Sequence, residues 1–464
     1  MKGLLPTRVL DIGNEKSAGG MRLHCSQEGE TGRYLALSHL WGKDRPLCTT
    51  SSTLERFQKR IEFQELPKTF QDAVTVTRQL GIRFLWIDSL CIVQDDSKDW
   101  ETQSKLMGDV FTNAYCTIAA SRAGGSSDGF LTSKKPRNAV AVTQSSGYTY
   151  YVCDAIDDFH SDVEEGELNK RGWVLQERAL SHRTIYFTEV QIYWECGNGV
   201  HCETLTKLRK YVISKISSRA YLNVLIISLS PKSAFLGDSE FPESARTFYR
   251  GGRIRLYEEV YKQYSRLAFT FTVDRAIAIS GLEKRLIRTF STVGGYGIFA
   301  EYLNRSLLWQ RSGLDFMEPI HYPLSKTVPS WSWMAYVGAI TYVDIPLGKA
   351  QWFPRNITPP FRTGGDFPER ELLALAKDLR LQPDEQGSNS VIFDTHDMHD
   401  STELKCIVVA RDRISDAQEV QRYYVLVITP KISEGTERTY RRVGAGFVKE
   451  NEIGAEGALE VRIH

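Results

Sequence analysis

The chain has no long apolar run, no Cys-x-x-Cys pair and almost no net charge, and each absence removes a class of protein. Its 58 Lys and Arg against 57 Asp and Glu leave a formal charge of +1. No global field then draws it to nucleic acid or to an anionic membrane, and neither is expected as a partner. No stretch approaches the roughly 20 apolar residues of a spanning helix. Val224, Ile226, Ile227 and Leu229 come nearest, and Ser228, Ser230 and Pro231 break them up. The opening Met1-Lys2-Gly3-Leu4-Leu5-Pro6 has too short an apolar core for a secretory signal. The expectation is an intracellular, cytoplasmic protein with reduced thiols.

Metal and phosphate signatures are equally scarce. The eight cysteines, at 25, 48, 91, 116, 153, 196, 202 and 406, are scattered. Cys196, His201 and Cys202 lie close together, but their spacing fits no common zinc site and a fourth ligand is missing. There is no Gly-x-Gly-x-x-Gly after a strand, no Gly-Lys-Ser/Thr phosphate loop and no His-Glu-x-x-His. Neither a metal nor a cofactor is expected.

What is present is an aromatic-rich chain of 464 residues, with 9 Trp, 21 Tyr and 21 Phe, long enough for two or three domains. The most informative stretch is Arg83 to Trp100. Phe84 to Ile87 reads as a buried strand that stops at Asp88, and the acidic cluster Asp95, Asp96 and Asp99 precedes a helix-like stretch from Trp100 to Asn113. Around it, Tyr34 to Gly42 is a strong strand running into a loop, and Gln71 to Leu80 is a helix stopped by Gly81. Tyr115 to Ala120 is a third strand. Strand, helix, strand, helix, strand at this spacing predicts a parallel sheet with right-handed crossovers. Residues 139 to 153 alternate Val and Tyr with polar partners and suggest further strands. Gly172 to Leu180 reads as a helix, and 184 to 187 with 191 to 195 as a hairpin. From about residue 206 the pattern turns helical, and from about 326 it turns to strands. The expected domains are 1–205, 206–325 and 326–464.

Open α/β sheets place ligands at the carboxyl ends of their strands. Ser38, Trp41, Asp88 and Gln94 fall there, and Glu177 lies four residues after Trp173, on the same helix face. A carboxylate against an aromatic wall is desolvated, which suits acid/base work or stabilisation of a cationic transition state. The alternative for Glu177 is a structural ion pair with Arg171, Arg178 or Arg183. Cys91 with His39 as its base is a further arrangement, set against a buried and inert thiol.

The blocks Tyr34-Leu-Ala-Leu-Ser-His-Leu-Trp-Gly42, Leu66-Pro-Lys-Thr-Phe-Gln-Asp-Ala73, Leu80 to Asp96, Met107 to Ala120 and Arg171-Gly-Trp-Val-Leu-Gln-Glu-Arg178 resemble the heterokaryon-incompatibility (HET) domain proteins of filamentous fungi. Gln191 to Cys196 and Pro329-Ser-Trp-Ser-Trp333 also match. His39-Leu40 departs from the family, which more often has an aromatic residue and a Cys before Trp-Gly. The resemblance implies a role in fungal non-self recognition and programmed cell death, exercised by self-association or with another incompatibility protein. More remotely the chain is similar to TIR domains, which implies a flavodoxin-like sheet and cleavage of NAD at its nicotinamide glycosidic bond. Trp173-Val-Leu-Gln-Glu177 reproduces the spacing of the TIR Trp-Cys-x-x-Glu pattern, with Val174 in place of the Cys. Glu177 would then be catalytic, with Ser38, Trp41, Asp88, Gln94 and Trp173 around the substrate. Two alternatives stand beside this reading. One is a non-catalytic signalling module, and the other an enzyme recruited to secondary metabolism with a different small-molecule substrate.

Overall fold

The computed structural model describes residues 3–13, 20–43, 45–132, 139–153, 157–196, 199–203, 207–208, 245–246, 248–323, 327–361, 371–381, 391–396, 403–413, 421–431 and 439–464. The apolar stretch at 224–229 and most of the basic run 207–215 lie outside them. Two compact units form, Met1–Ser244 with Ile277–Leu282, and Ala245–Ala276 with Glu283–His464. Among the described residues no helix is long and apolar enough to cross a membrane.

The first unit is built on a mixed nine-stranded sheet. Its strands and helices run in the order β1 (Arg8–Asp11), β2 (Arg22–Cys25), β3 (Tyr34–Ser38), α1 (Leu54–Lys59), α2 (Lys68–Gln79), β4 (Phe84–Trp86), α3 (Asp88–Cys91), α4 (Ser97–Asn113) and β5 (Cys116–Ala119). The hairpin of β6 (Ala139–Thr143) and β7 (Thr149–Cys153) follows, then α5 (Gly172–Leu180), β8 (Arg183–Phe187), β9 (Ile192–Cys196), β10 (Gly199–Cys202) and β11 (Lys207–Leu208). The pairs β4–β3, β3–β5 and β5–β8 are parallel. Counted along the chain, these four strands stand side by side in the order 2-1-3-4. The expected parallel core is therefore present. It is extended by antiparallel neighbours, β1 and β2 beyond β4 and the β9–β11 meander beyond β8.

Sequence pattern explains the placement of these elements. β3 is buried at every residue, as a strand covered on both faces must be. In α2, Phe70, Ala73, Val74 and Thr77 fall on one face and are buried. The helix stops where Gly81 takes φ +67°, its N–H donating to Arg78 O (2.9 Å) and that of Ile82 to Thr77 O (3.1 Å). Helix α4 begins at Ser97, earlier than the apolar spacing from Trp100 suggests. The Asp96 carboxylate caps it by accepting from the N–H groups of Lys98 (2.9 Å) and Asp99 (3.2 Å). A cap is a polar signal, so an apolar count starts the helix late.

The second unit contains helix α6 (Arg250–Ser265) and the strands β12 (Leu372–Asp378), β13 (Lys405–Asp412), β14 (Arg422–Pro430), β15 (Thr439–Lys449) and β16 (Leu459–Ile463). Each strand pairs with the next and β12 pairs with both β16 and β13, so the ring closes into a small barrel. From Pro329-Ser-Trp-Ser-Trp333, Trp331 joins its core and Trp333 packs against Tyr261 and Tyr264 of α6. Trp331 and Trp333 are fully buried, Ser330 donates to His464 O (2.5 Å) and Ser332 to Tyr296 O (2.6 Å). Deeper still, Arg442 is held by Asp394 (2.9 Å) and by Leu307 O (2.7 Å), against the face of Trp309.

One close approach ties the first unit's strand ends together. Gly42, at φ +86°, lies back to back with Gly125, so a Cβ on Gly42 would sit 2.9 Å from Gly125 Cα. Ser126 N–H donates to Trp41 O (3.2 Å) across the same contact. A Gly42→Ala change combines left-handed strain, about 1–2 kcal/mol, with a backbone clash of about 1–3 kcal/mol. Urea unfolding is expected to show a stability loss of about 2–5 kcal/mol; a loss within error would mean the two loops can part freely.

Candidate functional site

The carboxyl ends of β3 and β4 and the inner face of α5 meet around one acid. Glu177, the sixth residue of α5, is 8 % exposed. The three arginines that could neutralise it are all engaged elsewhere. Arg171 Nη1 donates to His39 O (2.8 Å), Arg178 forms a bidentate pair with Glu195 (2.9 and 3.1 Å), and Arg183 donates to Tyr115 O (3.2 Å). No ion pair to Glu177 forms among the described residues. Burial pushes its carboxyl up to about 7. The Ser38 hydroxyl and the Arg171 guanidinium work against the rise, and Asp88 adds to it.

Beside this acid stand two polar side chains from the end of β3. Ser38 Oγ and His39 Nε2 are buried and make no well-formed hydrogen bond. Burial also lowers the His39 imidazole below its usual value, keeping it neutral; Asp88 opposes this and Arg171 reinforces it. His39 Nδ1 lies 3.9 Å from Asp88 Oδ1, and its ring packs edge-on against Phe70. Buried polar atoms normally find partners, so this cluster is unusual in leaving two of them, Ser38 Oγ and His39 Nε2, unsaturated.

Asp88 is held more firmly. It opens α3 immediately after β4, where it accepts from its neighbour Ser89 N–H (2.7 Å) and from Trp41 Nε1 (2.8 Å). That contact fixes the half-buried indole of Trp41 over the ends of β3 and β4. Gln94 serves the backbone instead, donating to the carbonyls of Asp88 (3.2 Å) and Ile92 (3.1 Å). The acidic cluster is structural: Asp95 binds Ser51, Asp96 caps α4 and Asp99 pairs with Arg8. Trp173 lies on α5 and packs partly buried against the main core. Thus Ser38, Trp41, Asp88 and Glu177 converge, together with His39 and Arg171.

Arg171 and His39 are the members that sequence reasoning undervalued. Arg171 enters it only as an ion-pair partner for Glu177, and His39 only as a base for Cys91. Cys91 is buried and its thiol is pushed up to about 12, which leaves it unreactive. The run Gly125-Ser-Ser-Asp-Gly129 has the spacing of a nucleophile elbow, yet Ser127 sits exposed in a loop rather than between strand and helix. Among the described residues no group of His, Cys, Asp and Glu could hold a metal ion.

The geometry defines a class: an α/β domain that buries an unpaired acid at the carboxyl edge of parallel strands. Residues 34–177 match the model of the family described as Heterokaryon incompatibility protein (HET), and the chain carries a HET domain over that span. The match begins at the first residue of β3 and ends at Glu177. That domain connects the chain with heterokaryon incompatibility. No curated protein and no solved structure matches the chain.

A carboxyl raised from 4.5 to about 7 favours the folded state only while it is protonated. Stability is therefore lost as pH climbs from about 4.5 to about 7. Glu177→Gln removes that loss. Thermal melts should show the variant more stable than the native chain at pH 8, by up to about 3 kcal/mol, with the gain gone near pH 4.5. An equal difference at both pH values would mean that Glu177 titrates normally.

Proposed function

We propose that this chain is an effector of heterokaryon incompatibility whose HET domain hydrolyses NAD at the nicotinamide glycosidic bond, with Glu177 as the catalytic carboxylate. The observation that carries this reading is that Glu177 is buried without an ion pair among the described residues, the nearby Arg171 being engaged by the His39 carbonyl. The nicotinamide end of NAD brings the missing positive charge. As the bond between ribose C1′ and the ring nitrogen breaks, its electron pair leaves with nicotinamide and positive charge grows on the sugar. A desolvated carboxylate stabilises that charge far better than water does. Water then adds to C1′ and releases a proton, giving ADP-ribose. Ser38 and Asp88 orient the ribose hydroxyls, and Trp41 or Trp173 stacks on a base. The 2-1-3-4 strand order supports a flavodoxin- or TIR-like reading of the sheet, with its ligand crevice between the first and third strands.

Because Glu177 is covered in the single chain, catalysis requires the site to open, and self-association is the event that opens it. The carboxyl must be ionised, so kcat/KM is expected to rise with pH through about 7 and then level off. Concentrated protein incubated with NAD should release nicotinamide and ADP-ribose, followed by chromatography. Glu177→Ala should slow this by about 100-fold or more. Equal turnover by the variant, or none by the native chain at any concentration, would leave the non-catalytic signalling reading in its place.

A further inference from the structure

Among the described residues, the hairpin of β6 and β7 is the most exposed apolar feature of the first unit. Its strands pair with each other from Ala139↔Cys153 to Thr143↔Thr149, and among the described residues no other strand joins them. A lone two-stranded ribbon is marginal in water unless something packs on it. Alternation sorts its side chains onto two faces. One face carries the cross-strand pairs Val140–Val152 and Val142–Tyr150, with Gln144 and the exposed Tyr148 closing the turn beyond them. The four paired residues are 68 %, 60 %, 48 % and 53 % exposed. The other face carries Ala139, Ala141, Thr143, Thr149 and Tyr151.

Charge decides what this face suits. Residues 139 to 153 contain no Asp, Glu, Lys or Arg, in a chain that is 25 % charged. Exposed ribbons are normally guarded by charges that repel identical copies, and here that guard is absent. A uniformly uncharged surface offers nothing by which to select a charged partner, yet it meets its own copy without repulsion. Two identical apolar faces can also bury each other about a two-fold axis, the commonest symmetry of homo-oligomers.

We propose that the face formed by Val140, Val142, Tyr150 and Val152 is a self-association surface that takes the same face of a second copy of this chain. Two hairpins stack face to face at about the 10 Å spacing of packed sheets, which puts each Tyr150 in the apolar layer between them. The inference does not rest on NAD cleavage.

Sedimentation of the full chain tests it. The native protein should populate a dimer at tens of micromolar. Tyr150→Glu, which drives a carboxylate into the apolar layer, should weaken the dimer by at least about 100-fold. Thr149→Glu, one residue away but on the opposite face, strains the hairpin comparably and should leave the dimer intact. A native chain that stays monomeric overturns the proposal. So does a dimer indifferent to Tyr150→Glu, or one that both variants abolish equally. These outcomes are read as mass, so they remain distinct from any loss of NAD turnover.

Discussion

A charge taken out of water must be matched, and most of this chain obeys that constraint closely. Arg178 is buried and answered by Glu195, Arg442 by Asp394, and Arg305 by Glu258. Breaking any of these pairs leaves a stranded charge worth about 3–5 kcal/mol. Glu177, the immediate neighbour of Arg178, breaks the rule. Successive residues of a helix point about 100° apart. That angle sends Arg178 towards the β9 carboxylate and Glu177 towards the ends of β3 and β4, where no ion pair forms among the described residues. The domain bears the cost of an acid held near neutrality where its parallel strands end. Glu283 is a second buried acid pushed up to about 7, but the Gly297 N–H and the Tyr261 hydroxyl satisfy it.

The support around that acid comes from ordinary folding devices. Gly42 and Gly125 bring two loops into backbone contact, Asp88 holds the Trp41 indole, and Arg171 laces the start of α5 to the His39 carbonyl. At the far end of the helix, Ser181 donates to Glu177 O (2.6 Å) and lies 2.7 Å from Thr117 Oγ1. Glu177 is thus fixed through its backbone while its side chain is left without a charged partner. Its neighbour Gln176 is spent on structure, its side-chain oxygen accepting from Gly281 N–H (2.7 Å).

Much of the parallel core was legible in the sequence, because buried strands such as Tyr34–Ser38 and Cys116–Ala119 are apolar runs bounded by turn residues. The site was legible in its members but not in their alliances. Three arginines lie within reach of Glu177 in sequence, and only side-chain direction tells which of them turns away. The covering of strands was also hidden. The Val and Tyr alternation of residues 139–153 reads as a strand pair whether its apolar face is buried or bare. Its bareness depends on what the rest of the chain places over it. Boundaries erred where polar caps rather than apolar spacing set them, as at Asp96.

The order of the parallel strands has a consequence for the birth of the protein. β3 lies between β4 and β5, and the parallel set is complete only when β8 has been made, at residue 187. At 5–20 residues per second, roughly 8–30 s separate the synthesis of Tyr34 from that of Phe187. For the first part of that interval β3, apolar up to Ser38, has neither parallel neighbour, and then β4 alone. The domain therefore emerges from the ribosome with β3 made well before the last strand of its parallel set.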